Sequence, residues 1–104
     1  MPFKVVFLAH APDAEPEKDR SLVEASTYKL FSVVVKDQVQ AVEECKKLVK
    51  EEGIHSVLLC PGFLDKNVAE ITEAIGENVG VAVVRGDSPG RKVRAEVRIR
   101  AYSS

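Results

Sequence analysis

The chain has no tryptophan, one methionine and only two cysteines among its 104 residues. Cys45 and Cys60 are far apart and neither belongs to a CxxC pair, so a disulfide framework or a cysteine-based zinc site is not expected. Long apolar runs are missing too. The stretch near the N-terminus, Val5 to Ala9, stops at His10, too short for a signal-peptide core or a membrane span. A soluble, cytoplasmic protein that does not engage a membrane is the expectation. Neither a P-loop nor a dinucleotide fingerprint occurs, so no cofactor is assigned.

A strong charge of one sign is lacking as well, the net being −1. That balance argues against a nucleic-acid partner, although the charge is unevenly spread. From residue 91 onward Arg91, Lys92, Arg94, Arg98 and Arg100 face only Glu96, while the densest acidic stretch runs from Asp13 to Glu24. Among the C-terminal cations only Tyr102 could stack on a base. A solvated face, or one complementary to the acidic stretch, fits better.

What the chain does have is 45% hydrophobic and 30% charged residues, the balance of one folded domain covering 1–104. A chain of about 100 residues buries a modest core, which makes a homo-oligomer a natural expectation. FKVVFLAH, TYKLFSVVVKD, SVLLC and GVAVVRG are β-rich apolar runs without alternation, the pattern of strands buried on both faces. Residues 13–26 are expected to form a mobile loop with a few helical turns. Asp37 and Gln40 form a capping box ahead of Val39, Val42, Cys45 and Val49 at helical spacing, and Gly53 ends that helix. A second helix is predicted from Asp65 to Ile75, stopped by Gly76. From Val93 to Tyr102 apolar and charged residues alternate, which predicts an amphipathic edge strand able to assemble subunits. The fold expected is a small α/β domain with a mostly parallel sheet, flanking helices and that C-terminal edge strand. The alternative is a ferredoxin-like α+β sandwich with the first two long strands antiparallel.

In parallel α/β sheets ligands bind beyond the carboxyl ends of the strands. That rim holds His10 and Asp13, then Cys60 to Asp65, then Arg85, Asp87 and Ser88, with His55 at the opposite end. Gly62 in the turn is read as allowing a conformation closed to other residues, and the amides from Gly62 through Phe63 to Asp65 as a cradle for an anion. Arg85 could clamp the anion and Asp87 position a hydroxyl or amine. His10 is the candidate acid or base, and Cys60, near a helix N-terminus, the candidate nucleophile. Simpler roles exist for each: a strand-end hydrogen bond for His10, a small interior residue for Cys60, turn chemistry for Gly62 and Asp87. A metal site would need three loops to converge and is not expected.

The stretches CPGFLDKNVAEITEAIG and VGVAVVRGD, with the helix AVEECKKLVKEEGIHSVLLC, resemble a family of short prokaryotic proteins of unknown function. Its shared features are a Cys-x-Gly-Phe turn after a strand and a Val-Gly-Val strand that runs into Arg-x-Asp. Cys60, Gly62, Phe63, Gly80, Arg85 and Asp87 match them, whereas Pro61 and Leu64 stand where that family has a glycine-rich turn. The resemblance implies no activity. Two readings follow from the residues: a protein binding or acting on an anionic small metabolite at the strand ends, or a non-catalytic oligomeric module.

Overall fold

The computed structural model of the chain describes residues 1–85 and 90–103. Asp87 and Ser88, two of the expected rim residues, lie outside the described residues. Elements run β1 (Phe3–His10), β2 (Arg20–Glu24), β3 (Tyr28–Val35), α1 (Gln38–Glu52), β4 (Ser56–Leu59), α2 (Asp65–Ile75), β5 (Gly80–Val83) and α3 (Gly90–Ser103). The sheet order is β2-β3-β1-β4-β5. β1 pairs in parallel with β3 and with β4, and β4 in parallel with β5. The fold is α/β with a mostly parallel sheet, as the apolar runs suggested. Parallel pairing of β1 with β3 excludes the ferredoxin-like alternative.

α1 forms as its sequence dictates. The Asp37 carboxylate accepts the Gln40 amide at 2.9 Å, and Gly53 closes the helix in the left-handed region at φ 68°. α2 begins behind Leu64, whose amide donates to the Asn67 side-chain oxygen at 2.9 Å. Both helices press on the same face of the sheet. Ala41, Cys45 and Leu48 of α1 and Ile71 of α2 share one core with Val6, Leu8, Phe31, Val33, Val57 and Leu59. Burial beside Glu44 pushes the Cys45 thiol pKa up to about 12, which leaves it an inert apolar filler.

Three expectations are corrected. Residues 13–26 include a strand: β2 pairs antiparallel with β3, from Arg20 opposite Val33 to Glu24 opposite Lys29. Its Arg20 reaches across to α1 and meets the Glu44 carboxylate at 2.7 Å. An edge strand needs only backbone pairing on one side, so its few apolar residues gave a weak pattern. Second, residues 93–101 form part of α3 and make no edge strand, and with that strand goes the subunit contact proposed for it. Its alternation competed with five strong helix formers, Lys92, Arg94, Ala95, Glu96 and Arg98, and propensity prevails where little is buried. Third, among the described residues helices cover one face of the strands, although Val5 on the opposite face is only 1% exposed. Positions alternate along each strand, so Phe3, Val5, Phe7, Leu30, Val34 and Leu58 point away from α1 and α2. None of them belongs to the core just described.

Candidate functional site

Because β3, β1, β4 and β5 run parallel, their carboxyl ends share one rim. His10 ends β1 opposite Val35, the last residue of β3, and Lys36 follows there. Beyond β4 the chain turns through Cys60 to Leu64. The Cys60 amide donates to the Leu8 carbonyl at 3.0 Å and its carbonyl accepts the Phe63 amide at 3.2 Å, which holds the turn against β1. Phe63 is fully buried and plugs the core below the rim. The His10 imidazole stacks on it, with ring centroids 3.9 Å apart and planes at 22°.

Gly62 occupies this turn for a reason other than the one its sequence suggested. The glycines with positive φ are Gly53 and Gly76 among the described residues, so Gly62 is not in the left-handed region. What it provides is proximity. A Cβ placed there would lie 3.3 Å from His10 Nδ1, 3.3 Å from Arg98 Nη1 and 3.4 Å from Nη2. A guanidinium and an imidazole thus meet over a bare stretch of backbone.

α3 brings the guanidinium there. Arg94, Arg98 and Tyr102 fall at i, i+4 and i+8 on one helix face. The Tyr102 hydroxyl donates to the His10 carbonyl at 3.3 Å, and the Arg98 guanidinium carbon lies 5.4 Å from the centre of the Tyr102 ring. His10, Ala11, Pro12, Lys36, Arg98 and Tyr102 line an open concavity of about 330 Å³. Partial burial lowers the His10 pKa, Arg98 lowers it further, and the Asp37 carboxylate opposes them. The imidazole is therefore neutral at pH 7, while Arg98 and Lys36 carry the positive charge of the cavity.

The other expected residues fall elsewhere in the turn. Arg85 donates to the Asp65 carboxylate at 2.8 Å and to the Phe63 carbonyl at 3.3 Å, bracing the turn to the end of β5. The Phe63 and Leu64 amides, two of the four in the anticipated cradle, are taken by Cys60 and Asn67. Cys60 is half-buried and is not among the side chains that line the cavity. His55 sits at the opposite end, as expected, where its Nδ1 accepts the Lys4 amide at 3.0 Å and its ring stacks on Phe3. Among the described residues no three His, Cys, Asp or Glu side chains gather as a metal set. No helix among them is long and apolar enough to cross a membrane.

Sequence reasoning missed Lys36, Arg98 and Tyr102. Lys36 was hidden as part of a longer strand, and the helical spacing of Arg94, Arg98 and Tyr102 was masked by the alternation of the same segment.

Residues 3–98 match the model of a family of unknown function, DUF6506, and the chain belongs to that family. No curated protein and no solved structure matches it.

Proposed function

We propose that this protein binds an anionic small molecule in the cavity lined by His10, Lys36, Arg98 and Tyr102, beside Gly62. Lys36 from the end of β3 and Arg98 from α3 supply the charge. A guanidinium can hold a carboxylate or phosphate through two parallel hydrogen bonds, and an ammonium adds a point charge beside it. The observation that carries the reading is the approach of Arg98 and His10 to the same bare backbone at Gly62. His10 shares the cavity as a neutral base able to take up a proton when the anion arrives. Phe63 supports the His10 ring from beneath, and Arg85 and Asp65 hold the turn without touching the ligand. A cytoplasmic setting, where phosphorylated and carboxylic metabolites are abundant, suits this reading.

Thermal unfolding in inorganic phosphate and in small mono- and dicarboxylates tests it. An anion at a hundred times its dissociation constant adds about 2.7 kcal/mol, a rise of several degrees in Tm for a domain of this size. The rise is expected to vanish in Arg98→Ala and to survive in Arg85→Ala. If none of these anions raises Tm, or if Arg98→Ala retains the full rise, the cavity is not an anion site.

A further inference from the structure

The sheet face turned away from α1 and α2 is built unlike a surface meant for water. Residues paired across the strands share a face, which puts Phe3 with Tyr28, Val5 with Leu30, Ala9 with Val34 and Phe7 with Leu58. The remaining strand residues there are serine, glycine, alanine and valine. Not one is charged. Every charged residue in the five strands, Lys4, Arg20, Glu24 and Lys29, points to the helix side instead. A sheet with one solvated face shows the reverse, apolar toward the core and polar toward water. On this face Val5 is 1% exposed and Phe7, Leu30, Val34 and Leu58 are half-buried, while Tyr28 at 41%, Phe3 at 48% and Val23 at 61% stay exposed.

The described side chains of α3 do not cover it. Of the residues from Lys92 to Tyr102 only Arg98 is half-buried and the others are exposed, whereas a helix laid on a sheet buries a continuous stripe. Strands of four to eight residues, about 4.8 Å apart and rising about 3.3 Å per residue, give this face a projected area of about 460 Å². A specific interface needs roughly 1,000 Å² in total, or about 500 Å² from each partner. Side-chain relief raises the accessible area above its projection, so the face by itself meets that need. A second copy presenting the same patch is a match in both chemistry and size, since an uncharged apolar surface complements itself about a two-fold axis.

We infer that two copies of this chain pack open sheet face against open sheet face, about 10 Å apart, with Phe7, Leu30 and Leu58 near the centre. This goes beyond the anion site, which lies at the rim and is complete within one chain. The interface also supplies the second apolar layer that the uninterrupted strand runs called for.

Light scattering and sedimentation equilibrium on the full chain at micromolar concentration test it. The native protein is expected at 22.8 kDa, twice its 11.4 kDa. Leu30→Glu, with an unchanged circular dichroism spectrum, is expected to raise the dimer dissociation constant at least about thirtyfold. Val97→Glu on α3 is expected to leave the mass at that of the dimer. Should Leu30→Glu misfold, intermolecular methyl contacts between Leu30 and Leu58 in a half-labelled native sample decide the matter by nuclear magnetic resonance. A native mass of 11.4 kDa overturns the inference. So does a dimer that survives Leu30→Glu in folded form, one that is lost in Val97→Glu, or one without those methyl contacts.

Discussion

His10 lies flat on Phe63, so the one imidazole at the rim is fixed by the largest fully buried side chain among the described residues. One ring face of His10 is given to the core and its edge to the cavity. The conformation of the Cys60–Leu64 turn and the orientation of the imidazole are therefore set together.

That arrangement gives two opposite pH responses. The folded-state pKa of His10 is lowered, so the unfolded chain binds its proton more readily. The stability contributed by the neutral imidazole is present above about pH 6.5, the unfolded value, and declines as pH falls through it toward the folded value. Urea midpoints between pH 8 and 5.5 are expected to fall more for the native protein than for His10→Gln. Anion affinity is expected to run the other way, rising toward pH 6, because a bound negative charge favours the protonated ring.

Gly62→Ala separates proximity from backbone freedom. Gly62 is outside the left-handed region, so alanine costs the turn no conformational strain. Stability is expected to change by less than about 1 kcal/mol. The new methyl meets Arg98 and His10 at 3.3 Å, and the flexible guanidinium is the group that yields. A fall of about tenfold or more in phosphate affinity, measured by calorimetry on a protein with nearly native Tm, is the expected outcome.

Arg20 and Glu44 join β2 to α1 at 2.7 Å, with the Glu44 side chain largely buried. Arg20→Ala leaves that carboxylate without its partner and is expected to cost about 1–3 kcal/mol in denaturant unfolding. Replacing both with apolar residues, Arg20→Met with Glu44→Met, is expected to cost less than the single change, because no charge is left stranded.

Legibility in the sequence followed burial. β1, α1 and α2 stand where their residues predicted them, since cap, period and stop signal agreed in Asp37, Val42, Cys45 and Gly53. β2 and α3 escaped because neither buries a continuous stripe, so nothing imposed a period on their residues. The site followed the same division. His10, Gly62 and Phe63 lie on well-packed elements, and the sequence placed them at the rim. Arg98 and Tyr102 lie on the exposed helix and were not placed there. Arg85 was placed at the rim as an anion clamp, and its ion pair with Asp65 at 2.8 Å was not legible, since sequence cannot show that the two side chains meet.

The central position of β1 shapes how the protein comes into being. β1 is made first, yet its neighbours are β3, 25 residues later at Tyr28, and β4, which begins at Ser56. At roughly 5–20 residues per second a ribosome takes seconds to supply both. Through that interval a nascent FKVVFLAH has no strand to pair with, and its closure depends on distant contacts that are slow to form. The segment that organises the finished sheet is thus the one that most needs protection during synthesis, and holdase chaperones are expected to bind it first.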